Sequence, residues 1–193
     1  PTTAPVVLHS GSAGHPAHVA VGTDRGDLWL FDARDGSTLR RDRIDNRPGA
    51  IVPAELDGDG EIDFLVPCGD TTVRCLLGSR ELWRTPLMDE PRARPLVADL
   101  DGDGRPEVVA VALRSFDDNV LCLRGRDGSR AWSLRIAGDT ASSPIAVDLD
   151  GDGSREVVVG DWSGKVHAFD GTDGRERWTA RMPAGINGTL TAA

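Results

Sequence analysis

Three acidic loops of nine residues contain the side chains of this sequence that are best suited to chemistry. They span residues 55–63, 99–107 and 148–156, and each has carboxylates at positions 1, 3, 5 and 9. Glycines at positions 4 and 6 permit a tight backbone curl, so that alternate side chains converge on one point. Calcium takes about six to eight oxygen ligands from carboxylates, carbonyls and water, and the spacing therefore predicts three calcium-binding loops.

The predicted ligands are the four carboxylates of each loop and the backbone carbonyl at position 7. They are Glu55, Asp57, Asp59, Glu61 and Asp63; Asp99, Asp101, Asp103, Arg105 and Glu107; and Asp148, Asp150, Asp152, Ser154 and Glu156. We expect the longer Glu55 to weaken its site. The protein supplies nearly all the ligands and no acid–base residues recur beside the loops, so up to three structural Ca²⁺ ions are predicted rather than a catalytic metal.

Two other interpretations of the loops are possible. The pattern begins like an EF-hand loop, but its closing carboxylate is at position 9 rather than 12 and a strand follows instead of a helix. Asp-Gly runs also occur in ordinary turns. Three copies in register, each with four carboxylates that repel one another without a cation, favour metal binding over a simple turn.

Composition excludes several classes of partner. The chain has 193 residues, a formal net charge of −9 and 39% hydrophobic residues. The negative charge argues against binding to nucleic acid, and the apolar runs are too short for a membrane-spanning helix. Of the three cysteines, Cys75 and Cys122 occupy the same repeat position and are predicted to be buried thiols. A bridge between Cys68 and Cys75 remains an alternative.

The loops belong to a repeat that predicts an all-β fold. Each unit has four short strands, with Asp-Gly or similar hairpin turns between them. In the last unit the expected strands are 144–147, 157–161, 165–169 and 175–180. The second strand of each unit is apolar at consecutive positions, as in a sheet covered on both faces. Four such units predict a β-propeller of four-stranded antiparallel blades, with a solenoid of stacked sheets as the alternative.

The predicted blades form one array. Their approximate ranges are 1–46, 47–90, 91–138 and 139–185, and residues 186–193 are expected to begin a further strand. In the first blade the acidic loop is replaced by residues 9–18. We expect the chain to be either part of a larger ring or half of an eight-bladed ring that a homodimer completes.

The acidic loops resemble FG-GAP and VCBS repeats, the calcium-loop blades of integrin α-like propellers. The segment 97–109, which reads VADLDGDGRPEVV, carries this resemblance. The segment 168–178, which reads AFDGTDGRERW, is similar to the tryptophan-docking motif of quinoprotein propellers, whose small residue and Trp pack between blades. That second motif is incomplete elsewhere, because Arg124 replaces its Asp, Arg40 replaces its Trp, and the second unit is shortened.

These features together predict a calcium-stabilised propeller that binds or scaffolds a protein or a carbohydrate, and not an enzyme. We expect an extracellular, periplasmic or cell-surface location, where calcium is plentiful. The resemblance also implies an alternative, the propeller of a polysaccharide-active or quinoprotein-like enzyme. A third possibility is an inactive repeat fragment that assembles into a larger ring.

Overall fold

The structure, a computed structural model, describes residues 6–8, 18–43, 48–60, 62–77, 80–91, 93–113, 118–140, 142–186 and 190–191. All regular elements in these ranges are β-strands. Within them there is no helix of the length and apolar character needed to cross a membrane. Glu61 and residues 9–17, which replace the first acidic loop, lie outside the described residues, as does most of the further strand predicted at 186–193.

Sixteen strands form four antiparallel sheets of four consecutive strands, and each sheet is called a blade below. Blade 1 contains β1 (Val6–Leu8), β2 (His18–Gly22), β3 (Asp27–Asp32) and β4 (Thr38–Arg43). Blade 2 contains β5 (Val52–Ala54), β6 (Asp63–Cys68), β7 (Thr72–Leu77) and β8 (Arg80–Pro86). Blade 3 contains β9 (Leu96–Ala98), β10 (Glu107–Val111), β11 (Val120–Arg124) and β12 (Arg130–Leu134). Blade 4 contains β13 (Ile145–Val147), β14 (Glu156–Gly160), β15 (Lys165–Asp170) and β16 (Glu176–Arg181).

The hydrophobic core lies between the blades rather than inside any one of them. Strands β6, β10 and β14 are buried at every position, which explains why their sequences are apolar without alternation. Three apolar clusters join blade 1 to blade 2, blade 2 to blade 3, and blade 3 to blade 4. Stability of the array therefore depends on the contact of each blade with the next.

Tryptophan side chains stabilise two of these contacts between blades. Trp83 of blade 2 donates its indole N–H to the carbonyl of Gly125 in blade 3, at 2.7 Å. Its ring lies against Gly128, where an added Cβ would come within 2.5 Å of the ring. Trp132 of blade 3 makes the same hydrogen bond to Gly171 of blade 4, at 2.8 Å. A side chain on the third-to-fourth-strand turn of the following blade would therefore displace the indole.

The cysteines form no disulfide. Cys68, Cys75 and Cys122 are free and buried, so the alternative of a Cys68–Cys75 bridge is wrong. Burial raises the pKa of the Cys68 thiol to about 11 and that of Cys122 to about 12. These thiols are protonated at neutral pH and fill space in the core as small apolar side chains.

Candidate metal centres

Each acidic loop brings three carboxylates together at the junction of the first two strands of its blade. One oxygen from each carboxylate lies within 4.8 Å of the others. The three groups are Glu55, Asp57 and Asp63 in blade 2; Asp99, Asp101 and Glu107 in blade 3; and Asp148, Asp150 and Glu156 in blade 4. Positions 1, 3 and 9 of every predicted loop therefore converge, with a ligand spacing suited to one small cation.

The carboxylate at position 9 closes the loop onto its own beginning. It is the first residue of the blade's second strand, and one of its oxygens accepts a hydrogen bond from the backbone N–H at position 2. The distances are 3.0 Å for Asp63 with Leu56, 2.9 Å for Glu107 with Leu100, and 2.8 Å for Glu156 with Leu149. This bond fixes the carboxyl plane and leaves the second oxygen available to another partner.

That second oxygen is the clearest sign that the sites suit a cation. Asp63 is fully buried, yet its Oδ1 has no hydrogen-bond partner among the described residues. Glu156 is also fully buried, and its Oε1 accepts no well-aligned hydrogen bond but lies 3.1 Å from the Arg177 guanidinium. Buried polar atoms are almost always satisfied, because leaving one unpaired costs about 1–3 kcal/mol. Burial and the neighbouring carboxylates also raise the pKa of Asp63 to about 6, and burial raises the pKa of Glu107. An oxygen-seeking dication would satisfy the orphaned oxygen and offset the repulsion.

The carboxylate at position 1 also shapes the turn. Asp99 accepts hydrogen bonds from the backbone N–H groups of Gly102 and Gly104, at 2.8 and 3.0 Å. Asp148 does the same in blade 4. For the longer Glu55, the structure shows a bond only to the Gly58 N–H among the described residues. That Glu55 weakens its metal site stays a prediction.

The aspartates at position 5 are not members of the three groups. Asp103 and Asp152, at position 5, accept hydrogen bonds from the backbone N–H groups of Arg105 and Ser154, at 2.7 and 2.8 Å. Asp59 likewise lies outside its group. Metal ligation by these aspartates, and by the carbonyls at position 7, stays a prediction.

Arg177 is a residue of the blade 4 site that the sequence did not reveal. Its guanidinium contacts Asp150 at 2.5 Å, Glu156 at 3.1 Å and Asp170 at 2.9 Å. These contacts raise the pKa of Arg177, while Thr172 and Arg177 lower the pKa of Asp170 to about 2. Blade 4 therefore carries an internal cation beside its loop. The corresponding residues before Trp83 and Trp132 are Leu82 and Ala131.

We expect Arg177→Gln to raise the calcium affinity of the blade 4 loop roughly tenfold. Two unit charges about 4 Å apart interact by roughly 4 kcal/mol at an effective dielectric of 20, so the guanidinium disfavours a dication at the same carboxylates. Calorimetric titration of calcium measures the change. The matched control is Arg175→Gln, which removes the same charge from an exposed side chain that forms no ion pair with the loop among the described residues. An equal change in calcium affinity in both variants would contradict a local effect of the Arg177 guanidinium.

Comparison with known proteins agrees with this geometry. Residues 99–159 match the model of the FG-GAP-like repeat, and this range contains two of the three acidic loops. This part of the chain therefore carries an FG-GAP-like repeat. No curated protein sequence is detectably similar to this chain.

Two solved structures are similar in fold to this chain over most of its length. BBS1N, solved in complex with ARL6DN, has a TM-score of 0.74 and 14% identity, over 97% of this chain and 54% of BBS1N. BamB from Moraxella catarrhalis has a TM-score of 0.61 and 16% identity, over 92% of this chain and 51% of BamB. Both are β-propellers, and the predicted fold is thereby confirmed. This chain spans about half the length of each.

Proposed function

We propose that this chain is a calcium-stabilised β-propeller that acts as a binding or scaffold module outside the cytoplasm. The observation that carries the proposal is the set of three convergent carboxylate groups, one of which, in blade 2, contains a buried oxygen of Asp63 without a hydrogen-bond partner among the described residues. Hard oxygen ligands of this kind suit calcium. Extracellular modules bind calcium with dissociation constants of about 10⁻⁴–10⁻³ M, and sites of such affinity would be filled only where calcium is plentiful, which is why we propose an extracellular, periplasmic or cell-surface location.

The metal has a structural role in this proposal. Each group links the end of a first strand to the beginning of a second strand through the bond between positions 9 and 2. A bound ion would hold both strands and the turn between them in place. A catalytic ion needs an open coordination position beside acid–base groups, whereas the charged neighbour of the blade 4 group is an arginine held by carboxylates.

The proposed ligand surface is a groove formed by the first strands of blades 2, 3 and 4. It has a volume of about 600 Å³ and is lined by residues 52–54, 94–97 and 143–145. Prolines and aliphatic side chains form its walls, while the exposed Arg94 and the Ser143 hydroxyl supply polar groups. An apolar groove with few polar anchors suits a sugar ring or an extended peptide.

Calcium titration and ligand binding test the two parts of this proposal separately. Calorimetry with calcium alone should give up to three sites per chain, with none detected if the loops are only turns. For the groove, the probes are a uronic acid oligosaccharide and a neutral oligosaccharide of equal length. Arg94→Gln should weaken the charged probe and leave calcium binding unchanged. If neither sugar binds, the ligand proposed for the groove is a protein, and acidic peptides are the probes that test it.

A further inference from the structure

Blade 4 exposes a tryptophan and a leucine that are buried in the preceding blades. Trp178 is 42% exposed, whereas the equivalent Trp83 and Trp132 are each 8% exposed. Leu149, at position 2 of the blade 4 loop, is 43% exposed. The equivalent Leu100 packs against Gly171 of the next blade and is buried. We call Leu149 and Trp178 the donor face, because their equivalents are what one blade presents to the next.

Blade 1 has the turn that receives such a tryptophan. In blades 3 and 4 this turn has five residues between the third and fourth strands, and a positive-φ glycine contacts the indole. Blade 1 has the same five-residue turn, and its Gly36 has φ 72°. The Gly36 N–H bonds to the Asp32 carbonyl at 2.9 Å, the same backbone bond that Gly128 and Gly174 make. Yet an added Cβ at Gly36 would meet nothing within 4 Å.

The apolar side chains beside this turn are also incompletely covered. Val19, Val21, Trp29 and Phe31 are only half-buried. In blade 3 the residues at the positions of the two valines are Val108 and Ala110, and both are fully buried against blade 2. With the turn 33–37, these four residues form what we call the acceptor face.

Tryptophans and turns also pair across the blades of this chain. Blade 1 has Arg40 instead of a tryptophan, and its guanidinium lies over Phe64 of blade 2. Blade 2 correspondingly lacks the five-residue turn, since β7 ends at Leu77 and β8 begins at Arg80. Blades 2 and 3 have the tryptophan, and blades 3 and 4 have the turn. In the part of the chain that the structure describes, the tryptophan of blade 4 has no turn to pack on, and the turn of blade 1 has no tryptophan packed on it.

We propose that the donor face of blade 4 docks on the acceptor face of blade 1 in a second copy of this chain. Trp178 then donates its indole N–H to the Ala33 carbonyl, with its ring against Gly36, as Trp132 does with Gly171 and Gly174. Two copies related by a twofold axis form two identical junctions and a closed ring of eight blades.

Two substitutions test the junction from its two sides. Trp178→Ala removes the donor, and Gly36→Asn fills the acceptor with a residue that tolerates positive φ. By sedimentation velocity in calcium, we expect the wild-type chain to be a dimer, and each variant to raise the dimer dissociation constant by at least about 30-fold, as for a central tryptophan hot spot. The matched control is Trp162→Ala, which removes an equally exposed tryptophan outside both faces and should remain dimeric.

Mixing the two variants separates this junction from any other contact. Each variant retains one intact face, so an equimolar mixture forms one wild-type junction and should dimerise more strongly than either variant alone. If Trp178→Ala fails to fold, Gly36→Asn alone still tests the proposal, because a Cβ added at Gly36 meets no described atom within 4 Å in the isolated chain. A wild-type chain that stays monomeric at tens of micromolar in calcium, or a dimer that survives both substitutions, would overturn the proposal.

Discussion

Removal of calcium should lower the melting temperature of this protein by about 5–10 °C for each site that was filled. A ligand present at 100 times its dissociation constant stabilises the folded state by about 2.7 kcal/mol per site. For a chain of this size, 1 kcal/mol corresponds to roughly 2–4 °C. Differential scanning calorimetry with excess calcium and then with excess chelator measures the difference. Magnesium, which demands a smaller octahedral site and releases its water reluctantly, should restore little of the loss.

Glu107→Gln provides the control for this experiment within the chain. The amide oxygen can still accept the bond from the Leu100 N–H, so the closed loop is kept. Burial raises the pKa of Glu107 in the metal-free fold. An acid whose pKa is raised on folding opposes folding at a pH above that value, where it must ionise. The variant should therefore be at least as stable as the wild type in chelator, but gain less from calcium.

Substitution of a metal ligand should change the melting temperature, relative to the wild type, in opposite directions in chelator and in calcium. This behaviour distinguishes a metal ligand from a packing residue. A substitution that merely damages the loop lowers the melting temperature under both conditions. If Glu107→Gln gains as much from calcium as the wild type, the blade 3 loop does not bind the ion. An unchanged melt of the wild type on chelation would reject the structural role of calcium altogether.

The acidic loops were predictable because their geometry is local. The side chains at positions 1, 3 and 9 of the tight glycine-containing turn converge as the spacing indicated, whereas those at position 5 are not members of the groups. The blades were predictable for a similar reason. Consecutive apolar residues such as those of β10 imply a sheet covered on both faces, and Asp-Gly turns indicate hairpins.

Arg177 was not predictable, because a β-bulge decides where it points. Between β15 and β16 the register shifts, so that Ala168 pairs with Trp178 and Phe169 with Glu176. Arg177 is the extra residue of the bulge, and its side chain reaches the acidic loop. The same register shift occurs in the other three blades, where the extra residues are Leu39, Leu82 and Ala131. The sequence signal for this role was that Arg177 is charged, whereas the bulge residues of the other three blades are apolar.

The role of the leucine at position 2 of the loop was also missed. The sequence shows a leucine between acidic residues in all three copies, but reading the loops only for carboxylates gave it no function. In the structure, Leu56 and Leu100 pack on glycines of the following blade. The backbone N–H of the same leucine bonds to the closing carboxylate. One residue thus links the metal site to the contact between blades, a relation that depends on tertiary packing rather than on local spacing.

Substitution of Trp132 by alanine should lower the free energy of unfolding by about 3–5 kcal/mol, the range for removing a buried aromatic side chain. Trp132 is 8% exposed and packs in the cluster that joins blade 3 to blade 4. Urea unfolding followed by circular dichroism measures the loss. Trp162→Ala is the control, because that tryptophan is 47% exposed and surface substitutions usually change stability by less than about 0.5 kcal/mol.

Trp132→Phe separates the hydrogen bond from the packing. Phenylalanine retains an aromatic ring over Gly174 but cannot donate to the Gly171 carbonyl, which would be left buried without its partner. An unsatisfied buried acceptor costs about 1–3 kcal/mol, so this variant should be less stable than the wild type but more stable than Trp132→Ala. Equal stability of Trp132→Phe and the wild type would assign the whole effect to packing. Equal loss in the Phe and Ala variants would instead make the interblade hydrogen bond the main link between blades 3 and 4.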